Sequence, residues 1–319
     1  MTSGLRLMFA LLALAFLPLL IKSDFALTIL VFSFLLGMLA VSFNLIFGYT
    51  GQLSMFHAAA FGISAYATHL SMSLLGTSFW IGLVLGALLV LFLSVIVGTI
   101  CFRFRLKEFY FAVVTLAFSE MARLVILNWN SVTNGTLGII LQEKPRIWLP
   151  GQGIVKLDGT LMWYYVSLIG LALTLLVCWR LVNSWMGRSF AAIRLNDELG
   201  DTLGINVFRY KLAAFSVGNI IAAIAGGLYS FFLGSIEPGF LSIEQSLAIV
   251  AMVLLGGRGA VAAPFIGALV LTTLPHVIHL GAELRTIVYG SILIFTILVM
   301  PQGIYGSIAA LTRRPPHAI

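Results

Sequence analysis

Ten runs of apolar residues follow one another along the chain, separated by short polar or glycine-containing stretches. The runs lie at about 5–21, 25–47, 52–75, 79–102, 108–128, 161–181, 211–233, 243–257, 260–280 and 285–303. A helix needs roughly 20 residues to cross the hydrocarbon core of a bilayer. The pattern therefore predicts an all-α, polytopic membrane protein with about ten transmembrane helices, built as a single transmembrane domain over residues 1–319.

Two of the runs allow a second interpretation. The run 5–21 has a short basic start and could be a signal peptide, although the array of runs that follows it favours an uncleaved first helix. The run 243–257 is short and ends in a glycine-rich break at 256–259. It is either a full span, a half-helix or a re-entrant piece, and the last two would change the count of spans.

The composition agrees with a membrane protein. Hydrophobic residues make up 61% of the chain, charged residues 9%, and the mean hydropathy is +1.08, whereas soluble domains carry about 25% charged residues. So few charges cannot cover a water-soluble globule, which excludes a soluble enzyme or binding module. The net charge of +7 is spread along the sequence, and without a clustered basic face nucleic-acid binding is not predicted.

Lysine and arginine are distributed unevenly over the connections between the runs. With the N-terminus placed in the cytoplasm, twelve of the 18 basic residues fall in inner connections and five in outer ones. Basic residues accumulate in cytoplasmic loops, so this orientation is favoured, and an even number of spans places both termini in the cytoplasm. Residues 129–160 then form an external loop with little sign of its own core, and residues 184–210 form a cytoplasmic segment.

The segment 184–210 carries a helical pattern of its own. Residues 188–195 predict one short helix, Asn196 is a predicted N-cap of a second, and Gly204 is a predicted C-terminal stop. The spacing leaves two hypotheses open: the segment docks onto another protein through apolar side chains, or it lies on the membrane surface as an amphipathic connector. The apolar side chains concerned are Phe190, Ile193, Leu199 and Leu203.

Polar residues recur at helical spacing in the run 52–75, which places them on one face of the helix. They are Ser54, His57, Ser64, Thr68 and Ser71, with Phe61 in the interval. In a bilayer, such a stripe faces other helices or water. It is therefore a candidate wall of a substrate path, with hydrogen bonding between helices as the alternative.

Other polar groups inside apolar runs are fewer. Glu120 and Arg123 are three residues apart and share a helix face, so they are expected to pair. The pair is either structural or a contact for a zwitterionic substrate. Asn44 is a weaker candidate for the substrate path. Gly82 and Gly86 form a pair of small residues typical of close helix packing.

Sequence signatures of catalysis and cofactor binding are missing. No lysine follows a glycine, so the chain has no phosphate-binding Gly-Lys-Ser/Thr loop. No group of His and Cys has the spacing of metal ligands, and no Ser/His/Asp signature of a hydrolase is present. The chain is therefore predicted to be non-catalytic and to hold no metal or cofactor of its own.

Five motifs, in order along the chain, resemble those of permease subunits of branched-chain amino acid ABC importers. They run from Thr50 to Tyr66, from Phe111 to Thr133, from Gly187 to Asn206, from Val253 to Gly259 and from Met300 to Gly303. The resemblance covers about residues 30–305 and favours the longer of the two permease paralogues that pair in these importers. One departure is Leu199-Gly200, which stands where the family usually has two alanines.

The resemblance implies a permease domain in the cytoplasmic (inner) membrane of a bacterium, carrying branched-chain amino acids or a related small polar solute. The implied partners are two cytosolic ATPase subunits, which would hold ATP and Mg, a second permease paralogue, an external solute-binding protein and membrane lipid. Coupling to the ATPases would run through residues 188–205. The implied coupling residues are Arg188, Phe190, Ile193, Arg194, Asn196, Asp197, Leu203 and Gly204. An ion-driven secondary carrier or channel with no ATPase partner is the alternative.

Overall fold

The structure is a computed structural model that describes residues 2–21, 23–141, 144–149, 153–278 and 302–312, together with 288, 290–292, 294, 296, 298 and 300. The long helices are α1 Thr2–Leu20, α2 Asp24–Asn44, α3 Phe56–Leu75, α4 Phe79–Arg103, α5 Glu108–Asn128, α7 Thr160–Val182 and α10 Val207–Leu233. The shorter helices are α6 Asn130–Thr133, α8 Trp185–Leu195, α9 Asp197–Thr202, α11 Ile243–Gly256, α12 Ala263–Ile278 and α13 Gly303–Thr312. Helix α2 continues directly into five π-helical residues, Leu45–Tyr49, which we call the π turn.

Within the described residues, six helices are long and apolar enough to cross a membrane: α2 with its π turn, α3, α4, α5, α7 and α10. They confirm six of the predicted runs, with ends shifted by a few residues. Helices α1, α11 and α12 contain shorter apolar stretches. About half of the run predicted at 285–303 lies outside the described residues, so the count of about ten spans stays a prediction.

The long helices pack in two groups. Helices α3, α4 and α10 contact one another along their lengths, and α2 packs against α7 and α12, with α11 lying on α12. Helix α2 also contacts α10 and so joins the two groups. Helix α1 lies on α7, where the Tyr164 hydroxyl donates to the Leu14 carbonyl at 2.5 Å.

Glycines allow α3, α4 and α10 to approach closely. A Cβ atom on Gly226 of α10 would overlap the backbone carbonyl of Phe61 in α3. On α4, a Cβ on Gly86 would lie 2.8 Å from the Ser64 Oγ, and one on Gly82 would meet backbone and side-chain atoms of α3 at similar distances. The prediction that Gly82 and Gly86 mark close helix packing is therefore confirmed.

Replacing Gly226 with alanine should destabilise the bundle by about 1–3 kcal/mol, because the obstructing atoms belong to the backbone of α3 and cannot rotate away. Thermal unfolding in detergent would measure the effect. Gly239→Ala is the matched control, since a Cβ at Gly239 meets nothing within 4 Å. Equal melting temperatures for the two variants would contradict the packing described above.

The stretch 129–160 is more ordered than its composition predicts. Strand β1 (Ile139–Ile140) pairs antiparallel with β4 (Ser235–Ile236), which follows α10, and β2 (Arg146–Leu149) pairs antiparallel with β3 (Gly153–Lys156). The Trp80 indole N–H donates to the Arg146 carbonyl at 2.8 Å and ties the hairpin to α4. Backbone pairing therefore gives the predicted loop regular structure that its composition does not reveal.

Helix α11 begins inside the bundle. The 3₁₀ turn before it, Pro238–Leu241, packs on Gly62 of α3, and Ser119 of α5 donates to the Leu241 carbonyl at 3.4 Å. At the other end of α11, Gly259 accepts a hydrogen bond from the Tyr49 hydroxyl of the π turn at 3.4 Å. Since α11 has only 14 residues, about 21 Å of helix, the structure favours the half-helix for this run.

Candidate functional site

The polar stripe of α3 faces the inside of the bundle. Ser54, His57, Ser64, Thr68 and Ser71 are all buried. Ser54 precedes α3, which begins at Phe56, so the prediction of a shared helix face is wrong for Ser54 and holds only for residues within the helix. Ser64 and Thr68 lie against Gly86 of α4, so this part of the stripe occupies a contact between helices of the same chain. The geometry fits the helix-packing interpretation of the stripe.

His57 is enclosed by α2 and α10. Its Nε2 lies 3.5 Å from the Ser42 hydroxyl, and its ring meets the ring of Phe43 edge-on with the centroids 5.1 Å apart. A Cβ on Gly218 of α10 would come within 3.1 Å of the imidazole. The side chain is therefore buried and packed between helices.

Asn44 lies at the junction of α2 and the π turn. Its side-chain amide donates to the Ala260 carbonyl at 3.2 Å. The amide oxygen occupies the space that a Cβ on Gly48 would need, so glycine at position 48 permits this rotamer. Asn44 thereby joins the π turn to the connection between α11 and α12.

Glu120 and Arg123 form the predicted ion pair on α5. The Arg123 Nε donates to both carboxylate oxygens at 2.9 Å, and each side chain is about 30% exposed. Glu244, in the first turn of α11, lies within electrostatic reach of Arg123. The half-helix therefore brings a third charge to this face of α5, which the spacing of residues in the sequence does not reveal.

The two short helices of the segment 184–210 have the predicted caps. The Asn196 Oδ1 accepts from the backbone N–H groups of Glu198 and Leu199 at 2.8 and 3.3 Å. Gly204 has φ +79° and follows α9 in the left-handed conformation, so both predictions are confirmed. The start of α8 was missed: Ser184 caps it by accepting from the Met186 N–H at 3.1 Å, and α8 begins at Trp185 rather than at residue 188.

The expectation that Phe190 and Ile193 project from this segment is wrong. Both are buried in the chain's own core, where the Phe190 ring meets Tyr210 of α10 and Ile193 lies close to Gly200 of α9. Positions 190 and 193 share the face of α8 that packs on the bundle, so they hold the segment in place.

Three leucines project from the segment instead. Leu195, Leu199 and Leu203 are 83%, 54% and 68% exposed. Leu195 ends α8, whereas Leu199 lies in α9 and Leu203 directly follows it, beyond the extended backbone at Asn196. We call these three side chains together the leucine face. Leu199 and Leu203 had been predicted as docking side chains, and Leu195 had not. Gly200, where the family usually has alanine, is buried, and a Cβ there would meet Val207 and Ile193 only at ordinary contact distances.

The charged residues of the segment interact mainly within the chain. The Arg188 guanidinium lies 4.0 Å from the centre of the Trp185 ring, and Asp197 pairs with the buried ammonium of Lys211. Arg194 turns towards the bundle, where its Nη1 donates to the Gly48 carbonyl at 2.6 Å. The charged groups of Arg194 and Asp197, two of the implied coupling residues, are therefore already engaged within the chain.

A cavity of about 800 Å³ lies beside the leucine face, between the α4–α5 connection, α8, α9 and the start of α10. Charged residues of both signs line it: Arg105, Lys107, Glu108, Arg194, Asp197, Glu198, Asp201 and Lys211. Arg105 and Asp201 close one side with an ion pair of 3.1 Å. In the part of the chain that the structure describes, no group of three or more His, Cys, Asp or Glu is placed to hold a metal ion.

Comparison with known proteins gives a family match. The model of the branched-chain amino acid transport system / permease component family matches residues 25–297. The high-affinity branched-chain amino acid transport system permease protein LivM of Escherichia coli (strain K12) is 27% identical over 284 residues, covering 83% of this chain and 66% of LivM. LivH of the same organism is 25% identical over 287 residues, covering 85% of this chain and 91% of LivH.

A further relative has a different name. The autoinducer 2 import system permease protein LsrC of Enterobacter sp. (strain 638) is 32% identical over 162 residues, which is 46% of this chain and 47% of LsrC. The matched region thus spans slightly less than two thirds of LivM and about half of LsrC. No solved structure matches the chain significantly.

Proposed function

This chain belongs to the family of branched-chain amino acid transport system permease components, and from that membership we propose that it is the translocation subunit of an ATP-driven importer. It is a multi-pass membrane protein with no catalytic role of its own. Two cytosolic ATPase subunits supply the energy, a second permease completes the membrane part, and an external solute-binding protein delivers the solute. The bilayer is the inner membrane of a bacterium. The similarity to LivM supports the assignment to the longer permease paralogue.

The leucine face is the observation that carries the proposed ATPase contact. Leaving three leucine side chains exposed to water costs free energy. Apolar surface of this kind, in a polar segment between spans, is typical of an interaction site. Burying each leucine on a partner contributes roughly 1.5–3 kcal/mol. The cavity beside the leucine face offers the exposed charged groups of Lys107 and Glu198 to the same partner, so residues 188–205 act as the coupling segment.

The proposed orientation follows from this contact and from the bias of basic residues. The end of the bundle that carries α8 and α9 lies in the cytoplasm, together with both termini, and the β2–β3 hairpin lies outside. Single cysteines at Glu198 and Lys156, both exposed, test it after the two native cysteines are replaced. An impermeant thiol reagent should label position 156 in intact cells and position 198 only after permeabilisation. Labelling of position 198 from outside would reverse the assignment.

The proposed substrate path runs along the face of α5 that carries Glu120 and Arg123. Charges within a membrane span are costly where they face lipid, and the same helix exposes large apolar side chains such as Tyr110 and Met121. We place the second permease against this face, so that the path lies between the two subunits. The carboxylate and ammonium groups of an amino acid could then exchange partners with Arg123, Glu120 and Glu244.

The proposed solutes are branched-chain amino acids or a related small polar solute. The names of LivM and LivH support an amino acid, and the name of LsrC shows that permeases similar to this chain serve another solute. The experiment that tests the proposed function is affinity purification of the full-length chain from membranes in mild detergent. We expect ATP-hydrolysing subunits and a second permease to copurify. A chain that purifies alone, with no ATPase activity in any fraction, would favour the ion-driven carrier.

A further inference from the structure

The inner side of α8 is hydrogen bonded to α2. Arg194, near the end of α8, donates from Nη1 to the carbonyl of Gly48 in the π turn at 2.6 Å. Carbonyls at the end of a helix lack intrahelical partners, and a cationic donor gives a short, strong hydrogen bond. The helix proposed to carry the ATPase contact is thus attached to a helix that crosses the membrane.

The π turn is attached in turn to the connection between α11 and α12. The Asn44 amide donates to the Ala260 carbonyl at 3.2 Å, and the Tyr49 hydroxyl donates to the Gly259 carbonyl at 3.4 Å. The guanidinium of Arg258 lies 4.5 Å from the centre of the Phe47 ring. Burial holds the pKa of Arg258 below its ordinary value, and the positive charge of Arg194 lowers it further.

Helices α11 and α12 are packed backbone to backbone. A Cβ on Gly267 of α12 would overlap the carbonyl of Met252, and one on Gly256 would overlap the carbonyl of Ala263. Contacts this close are expected to make the two helices move as one body, because packed interiors transmit displacement rather than absorb it. The far end of α11 carries Glu244, which lies within electrostatic reach of Arg123 on the proposed substrate path.

We propose that Arg194 is a positioning residue that transmits the movement of the coupling segment to the half-helix α11. The route runs from Arg194 to the Gly48 carbonyl, through Asn44 and Tyr49 to the 259–260 backbone, and along α11 to Glu244. The π turn is the element that shifts, in keeping with the frequent occurrence of single π turns at functional positions in helices. This inference rests on the proposed function, because it assumes that an ATPase moves α8.

Replacing Arg194 should have a different effect from replacing a residue that docks the ATPase. A docking residue holds the ATPase, so its loss releases the partner. Arg194 faces the bundle, so Arg194→Gln should leave the ATPase subunits bound and hydrolysing ATP, while the displacement of α11 is lost. The number of ATP molecules hydrolysed for each solute transported should rise. Substitutions along a coupling route typically change coupling by roughly 2- to 30-fold.

The test uses the complete transporter in proteoliposomes, with radiolabelled leucine as the solute and ATP inside. Wild type must first show ATP-dependent leucine uptake, and failure at that step contradicts the proposed function rather than the role of Arg194. With wild type active, Arg194→Gln should retain its ATPase subunits and lose uptake relative to ATP hydrolysis. The control is Arg180→Gln, which removes an exposed positive charge from the last turn of α7.

A second variant lies on the far side of the π turn. Asn44→Ala removes the hydrogen bond to Ala260 and is remote from the leucine face, so it should also raise the ATP cost of uptake without releasing the ATPases. Normal coupling in both variants would overturn the proposal, and so would the release of ATPase subunits by Arg194→Gln. If the Arg194→Gln chain itself does not fold and insert into the membrane, Asn44→Ala decides between the outcomes in the same assay.

Discussion

Leu203→Asp should separate the permease from its ATPase subunits. Leu203 is 68% exposed at the end of α9, and on the proposed partner it fills an apolar pocket. The substitution loses about 1.5–3 kcal/mol of burial and adds the cost of bringing an unpaired carboxylate to the contact. Since 1.4 kcal/mol corresponds to a factor of ten, binding should weaken by roughly 10- to 100-fold or more. Quantitative copurification in mild detergent measures the change.

The same substitution elsewhere on the chain provides the control. Leu137 is 83% exposed and lies at the end of the bundle that carries the β2–β3 hairpin, so Leu137→Asp should leave the ATPase subunits attached. The Leu203 backbone N–H still binds the carbonyls of Leu199 and Gly200 in the variant, so α9 should stay folded. Retention of the ATPases by Leu203→Asp would leave only the surface-helix interpretation of this segment.

Arg123→Leu should abolish most of the uptake. The substitution leaves Glu120 without its partner in the middle of a membrane span, where an unpaired charge costs at least about 2.5 kcal/mol on insertion scales. It also removes the proposed contact for the carboxylate of the solute. Uptake of labelled leucine into proteoliposomes, normalised to assembled transporter, should fall at least roughly tenfold.

A charge exchange separates the structural from the substrate-binding role of this pair. The double variant Glu120→Arg with Arg123→Glu keeps two opposite charges three residues apart and should restore assembly and thermal stability. It places a negative charge at position 123, within electrostatic reach of Glu244, so uptake should stay low. Recovery of uptake along with stability would show that the pair is structural only, and the path along α5 would have to be abandoned.

Much of this fold can be predicted from the sequence because the bilayer imposes simple rules. Apolar runs become spans, and Asn196 and Gly204 act as caps because their chemistry is local. Glu120 and Arg123 pair because residues three apart on a helix are neighbours. None of these features depends on how distant parts of the chain meet.

The remaining features depend on tertiary contacts. The sequence shows that Phe190, Ile193, Leu199 and Leu203 recur at helical spacing, but only the position of α10 determines that the first two are buried and the last two exposed. The polar stripe of α3 similarly fits either a path or a helix contact until α4 is in place. The start of α11 inside the bundle follows from the packing of the preceding 3₁₀ turn on α3, and no local signal marks it.

The central claim is that ATP hydrolysed by partner subunits drives solute through this chain. Leucine uptake by proteoliposomes that contain the complete transporter and an external binding protein tests it most directly, with ATP or an imposed ion gradient as the only source of energy. We predict uptake that requires internal ATP and persists when ionophores collapse all gradients. Uptake driven by a proton or sodium gradient through this chain alone, without ATP, would contradict the claim.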